Sequence, residues 1–167
     1  EAGGRVFRSS GDTEVVLAMY ECYGDDFLAR MRGMFALAIC DLRGGPGRER
    51  LVLARDPFGI KPLLHTRAGG SFLFASEMKA MLASGIVERR VDPEGLRLLM
   101  TFGSVPQPRT AVAGVRMLPP GHRMVVDARG DRVERYWRFA TDRGIRSAGM
   151  PYPALVSRVR SALEESV

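Results

Sequence analysis

Two unbroken apolar runs constrain this chain more than any other feature. Met34 to Cys40 is apolar at every position, and Leu51 to Ala54 repeats the pattern after a Gly-rich loop from Arg43 to Arg50. Runs this short, with no in/out alternation, predict strands covered on both faces, and the loop is short enough to make them antiparallel neighbours. Asp56-Pro57-Phe58-Gly59 then imposes a turn, because proline fixes φ and glycine permits φ > 0 two residues later. Leu63-Leu64 and Phe72 to Ala75 supply two further strands on either side of a turn at residues 67–70. Ser76 is placed to cap a short helix whose Met78, Met81 and Leu82 share one face. The pattern predicts a four-strand meander closed by a helix. The adjacent charges Arg55 and Asp56 read as an ion pair and an Asx-type turn holding the bend, in preference to a catalytic pair.

Around this centre the remaining elements follow from local signals. Residues 9–14 open a helix, with small polar residues for the cap, two carboxylates in the first turn, and Val15, Val16, Met19, Tyr20 and Tyr23 at helical spacing. Gly24-Asp25-Asp26 ends it, and a short turn carries Phe27, Leu28 and Met31. Asp92-Pro93 predicts another helix start, a capping carboxylate before a first-turn proline, with Leu96, Leu99 and Met100 as its buried face. Residues 123–127 and 132–137 flank a turn and read as a hairpin. Residues 141–150 have the polar, glycine-containing character of a linker, and Pro153 opens a last helix with an amphipathic stripe through Leu155, Val156, Val159 and Leu163.

A chain of 167 residues holds one sizeable core and is too short for two. The net charge of +6 rests on arginine, with lysine only at Lys61 and Lys79. These arginines are spread over the chain, with no aromatic-interleaved basic stripe and no nucleic-acid-binding motif, which argues against a nucleic-acid partner. No apolar run approaches the ~20 residues needed to span a membrane. The two cysteines, Cys22 and Cys40, suit a reducing cytoplasm and read as core-filling thiols. His65 and His122 have no partners at metal-ligand spacing, so no metal site is expected.

Three stretches carry a family resemblance: Gly33-Met34-Phe35-Ala36, residues 54–63 (Ala-Arg-Asp-Pro-Phe-Gly-Ile-Lys-Pro-Leu), and residues 74–80 (Phe-Ala-Ser-Glu-Met-Lys-Ala). They resemble the glutaminase domain of glutamine-hydrolysing asparagine synthetases and, more broadly, the class II glutamine amidotransferases. The resemblance implies an α+β fold of mostly antiparallel strands, part of the four-layer αββα sandwich of N-terminal-nucleophile hydrolases. Residues 91–94, 103–110, 118–122 and 135–137 are similar to the region joining glutaminase and synthetase domains in bacterial-type asparagine synthetases. That implies a division into residues 1–140, the later part of the glutaminase domain with its connector; 141–150, a linker; and 151–167, the first helix of the ATP-dependent synthetase domain.

The resemblance also says where the chemistry belongs. In class II glutaminases the thiol of an N-terminal cysteine is the nucleophile and its own α-amine the base, so no catalytic residue is expected within this segment. The ATP-binding loop is expected after Val167, with ATP and Mg²⁺ held there and none bound here, so the segment alone should be inactive. The aspartate that holds the α-ammonium of glutamine in this family corresponds to Asp12, in Ser10-Gly11-Asp12-Thr13-Glu14. A purely helix-capping Asp12 is the competing reading. Met34 stands where the family lines its ammonia tunnel, although a core methionine reads the same way. Implied partners are glutamine, aspartate, the chain's own synthetase domain and a second copy in a homodimer, all in the cytoplasm. Two alternatives stay open: a related amide-forming ligase, β-lactam-synthetase-like or from a biosynthetic cluster, that keeps this domain as scaffold, and a non-catalytic binding domain.

Overall fold

The computed structural model describes residues 7–139 and 149–166. Helix α1 (Asp12–Tyr23) is capped at Gly11, which offers no side chain. Its entry is instead held by Glu14, two positions into the first turn from Asp12, whose carboxylate accepts from the backbone N–H of Arg8 (3.0 Å) and Ser9 (2.9 Å). The carboxylate thus reaches back past the N-cap to the two residues before Ser10, and not to the N-cap N–H as in a capping box. A 3-10 segment, Gly24–Arg30, follows and buries Phe27 and Leu28. Asp25 ties it to the sheet beneath through Arg50, 2.6 Å away, and Arg123, 3.4 Å away.

Among the described residues seven strands make two antiparallel sheets. Their ranges are β1 (Ala36–Asp41), β2 (Arg50–Arg55), β3 (Leu64–Ala68), β4 (Ser71–Ala75), β5 (Arg116–Met117), β6 (His122–Asp127) and β7 (Gly130–Arg135). The larger sheet has the order β1-β2-β6-β7 and the smaller β4-β3-β5. Helix α2 (Met78–Ala83) follows β4, α3 (Pro93–Phe102) precedes β5, and α4 (Tyr152–Glu164) ends the described chain.

Side-chain alternation along single strands builds four layers. Val52 and Ala54 face Tyr20, Phe27 and Leu28 below α1, while Leu53, between them, faces Leu63 and Leu118 in the second layer of core. Leu63 looks into that inter-sheet layer, and its neighbour Leu64 looks outward to Met81 of α2 and to Val87 and Val115. The order helix, sheet, sheet, helix is the expected αββα arrangement. Burying β2 on both faces is what its unalternated apolar run required.

Several local expectations are corrected. The four strands are not one meander: β1–β2 and β3–β4 are hairpins in different sheets, because the turn after β2 carries the chain into the second layer and β6 takes the open edge of β2. The run from Met34 to Cys40 is not doubly covered, since β1 is an edge strand among the described residues; Ala38 and Cys40 are exposed, and Met34 precedes the strand at 63 % exposure. Cys22 and Cys40 are thus exposed free thiols, not core-fillers. Ser76 does not cap α2, which begins after Glu77 with no side-chain cap, and neither Ser9 nor Ser10 caps α1. Helix α3 does begin with Asp92 accepting from Glu94 N–H and with Pro93 in its first turn. Its apolar residues Leu96, Leu99 and Met100 are exposed, however, and the helix rests on Gly95, where a Cβ would fall 2.5 Å from the Thr110 carbonyl oxygen. The hairpin at 122–135 closes through a two-residue turn, tighter than expected, with Asp127 paired to Gly130. The expected linker lies outside the described residues except for Gly149 and Met150, and the helix after it, α4, buries none of its residues.

Candidate functional site

An open cleft of about 360 Å³ lies between the first turns of α1 and the free edge of β1. Asp12, Thr13, Val16 and Leu17 form its helical wall, and Phe35 to Cys40 form the wall opposite. A second hollow of about 400 Å³ continues past Leu17 and Tyr20 to Asp41 and Arg43. Edge position explains the cleft: β1 pairs only with β2, so the backbone groups on its other side meet no strand among the described residues.

Asp12 stands at the mouth of this cleft as the first residue of α1. Its carboxylate is exposed, and no hydrogen bond or ion pair engages it among the described residues. Helix capping therefore does not account for it: Gly11 is the N-cap, and Glu14 secures the entry. An unengaged anion above an apolar-walled cleft can accept from a cationic group whose aliphatic remainder lies along Val16 and Leu37.

At the far end of the cleft the polar groups are already engaged. Tyr20 Oη donates to Asp41 at 3.0 Å, and Arg43 meets the same carboxylate at 2.6 Å. The Arg43 guanidinium holds Asp41 well below the usual carboxylate range. Cys40 lines both hollows, yet no histidine lies among their lining residues, so nothing there serves as a base for its thiol. Among the described residues no group of three or more His, Cys, Asp or Glu side chains is placed to hold a metal ion.

Arg55 and Asp56 sit beside the cleft and build its support. Arg55 is 2 % exposed and points into the inter-sheet layer. Its guanidinium donates to the carbonyls of Lys61 (2.7 Å), Gly59 (2.6 Å) and Leu118 (2.8 Å) and to the Gln107 side chain (2.6 Å). The expected ion pair with Asp56 does not form: the two side chains leave the strand on opposite faces, and each finds backbone partners instead. Asp56, 1 % exposed, closes the expected Asx turn by accepting from the N–H groups of Phe58 (3.1 Å), Ile60 (3.1 Å) and Lys61 (3.0 Å). Gly59 is required between them, at φ +66°, because a Cβ there would lie 2.7 Å from Pro120 Cγ and 3.0 Å from Arg55 Cζ.

Burial alone would raise the pKa of Asp56, but the N–H groups of Lys61, Ile60 and Phe58 outweigh it and hold the carboxyl below its ordinary value. A depressed folded-state pKa gives stability that is fully present above the unfolded value and lost as pH falls through the folded one. The stability difference between wild type and Asp56→Asn should therefore be constant near neutrality and shrink once pH drops below about 4. Urea unfolding at a series of pH values measures this, and a difference that grows on acidification would contradict it.

Comparison with known proteins adds the family. A model described as glutamine amidotransferase domain matches residues 1–137. This chain belongs to the glutamine amidotransferase domain family. The amidotransferase domain is 34 % identical over 167 residues to asparagine synthetase [glutamine-hydrolyzing] 3 of Bacillus subtilis, a match covering 99 % of this chain and 26 % of that protein. Asparagine synthetase [glutamine-hydrolyzing] 1 of the same organism is 36 % identical, over 100 % and 25 %. Amidase chyE of Penicillium rubens is 32 % identical, over 96 % and 23 %. The chain thus spans about a quarter of the length of the curated relatives it matches. Among solved structures, glutamine phosphoribosylpyrophosphate amidotransferase of B. subtilis superimposes with a TM-score of 0.56 at 20 % identity, covering 81 % of this chain and 25 % of that one. The α+β amidotransferase domain accordingly has the fold of the N-terminal-nucleophile glutaminases.

The structure brings Asp12 to the cleft and leaves Met34 at its margin, one residue before Phe35 in the cleft wall. Met34 is exposed and belongs to none of the core clusters among the described residues. Phe35 and Leu17 were not expected in a site, and only the edge position of β1, which depends on the remote strand β6, reveals them.

Proposed function

We propose that this chain is the glutaminase portion of a glutamine-dependent asparagine synthetase. The single observation that carries the reading is the reach of the relatedness: identity to the B. subtilis synthetases extends across essentially all 167 residues, past residue 137 where the amidotransferase model ends. On this reading glutamine lies in the cleft between α1 and β1, with Asp12 accepting from its α-ammonium. A cysteine thiolate outside these 167 residues attacks the amide carbon, ammonia leaves, and water hydrolyses the thioester to glutamate. Met34 borders the route by which ammonia leaves for an ATP- and Mg²⁺-dependent domain, where aspartate is activated and amidated. That domain also lies outside these residues, and the isolated chain releases no ammonia from glutamine. The whole enzyme is read as cytoplasmic and as a homodimer.

The test is a product assay on the full-length protein with glutamine, aspartate and ATP–Mg²⁺. Asparagine and glutamate should form together, and ammonium should replace glutamine as nitrogen source. Glutamate release with no amidation of aspartate would instead point to another acceptor carboxylate, as in a related amide-forming ligase.

A further inference from the structure

A hydrogen-bonded ring encloses the start of α1, with Asp12 inside it and the Asp12 carboxylate left out. Glu14 accepts from the N–H groups of Arg8 (3.0 Å) and Ser9 (2.9 Å), and its Oε2 also accepts from Ser9 Oγ at 2.8 Å. Ser9 Oγ in turn accepts from the Gly11 N–H at 3.4 Å. The ring runs from Glu14 through Ser9 to Gly11 and back along the helix, so Asp12 and Thr13 are the two residues it spans. Two positions along a helix make about 200° of rotation, which turns Glu14 away from the face that Asp12 presents. The cleft is accordingly lined by Asp12, Thr13, Val16 and Leu17, and not by Glu14. Glu14 therefore acts on Asp12 through the backbone.

A helix start needs such a tie. Its first-turn N–H groups have no intrahelical acceptor and helix ends fray, so a side chain there is poorly fixed unless the chain before it is tied down. Gly11, the N-cap, offers no side chain for the purpose. With Glu14 holding the entry, the Asp12 carboxylate is fixed in place and still unengaged, which is the condition for a preorganised contact.

We propose that Glu14 is the positioning residue for Asp12, with Ser9 as its bridge: it fixes the first turn of α1 so that the Asp12 carboxylate meets the α-ammonium of glutamine without first being ordered. The inference rests on the reading of Asp12 as the ammonium-binding residue. The ammonium is remote from the amide carbon that reacts, so loosening its partner weakens ground state and transition state alike, and the loss falls on KM.

Steady-state kinetics of the full-length protein test it, with ammonia-dependent synthesis as the measure of intact protein. Glu14→Ala should lower kcat/KM for glutamine about 5- to 30-fold, mostly by raising KM, as a binding group displaced by about an ångström does. An unchanged KM overturns the proposal. Glu14→Gln keeps an acceptor for Ser9 without the charge and should stay within about threefold of wild type. A loss as large as that of alanine would mean that Glu14 attracts the ammonium by charge, and overturns the positioning role. The double variant decides. If Glu14 works through Asp12, adding Glu14→Ala to Asp12→Ala costs less than about twofold more, whereas losses that multiply belong to independent sites and overturn the proposal. Should Glu14→Ala fail to support ammonia-dependent synthesis, Ser9→Ala takes its place, with a smaller rise in KM that likewise vanishes in the Asp12→Ala background. The functional reading fails separately: normal glutamine kinetics in Asp12→Ala remove the substrate role itself, while an impaired Asp12→Ala beside a normal Glu14→Ala removes the positioning role alone.

Discussion

Replacing Asp12 by alanine in the full-length enzyme should lower kcat/KM for glutamine by roughly 30- to 1000-fold while leaving ammonia-dependent synthesis near wild type. The size follows from removing a charge-assisted hydrogen bond and leaving the bound ammonium without its counter-charge, about 2–4 kcal/mol. The split between nitrogen sources follows from location: Asp12 lines the cleft proposed for glutamine, and no hydrogen bond or ion pair engages its carboxylate among the described residues. A helix-start role predicts something different, about 1 kcal/mol of stability with both nitrogen sources affected alike. Asp12→Asn keeps the size of the side chain and removes its charge, and the stability of the same variant reads any helix-start effect apart from binding. Normal glutamine kinetics in the Asn variant would sink the substrate-binding role.

Arg55→Met should destabilise the domain by about 3–5 kcal/mol, a fall in Tm of roughly 10–20 °C for a domain of this size. Methionine fills much of the volume but donates nothing, so the carbonyls of Gly59, Lys61 and Leu118 and the Gln107 side chain all lose a donor at a buried site. Arg55→Lys should recover little, since one ammonium cannot span acceptors arranged around a planar fork. Calorimetry on the purified variants reads both. A loss under about 1 kcal/mol would mean that water satisfies these carbonyls and that the clamp is not what joins the two sheets.

The legibility of this chain divides along the range of the physics involved. Features fixed within a few residues could be read directly: the Asp56 turn, the Asp92-Pro93 helix start, and the double burial of Val52, Leu53 and Ala54. What failed depended on which segments meet in space. Met34 to Cys40 has the composition of a covered strand, but β1 meets no strand on its outer side among the described residues, and that edge position exposes Ala38 and Cys40. Leu96, Leu99 and Met100 are correctly spaced for a buried face, yet contact through Gly95 against Thr110 turns them outward. At the start of α1, Ser9 and Ser10 suggested a cap, and the longer reach of Glu14 secures the entry instead. Asp12 as a site residue came from resemblance rather than from pattern, since a carboxylate in a first helical turn is ordinary. The geometry adds that it is unengaged and faces a cleft.

The central claim is that glutamine binds between α1 and the edge of β1 with its ammonium on Asp12. A crystal structure of the full-length protein bound to glutamine, or to an unreactive analogue keeping its α-amino and α-carboxyl groups, measures this directly. The account predicts an α-nitrogen to Asp12 carboxylate distance of about 2.7–3.2 Å, with the aliphatic chain along Val16 and Leu37. A ligand seated elsewhere, with Asp12 still facing solvent, would contradict it.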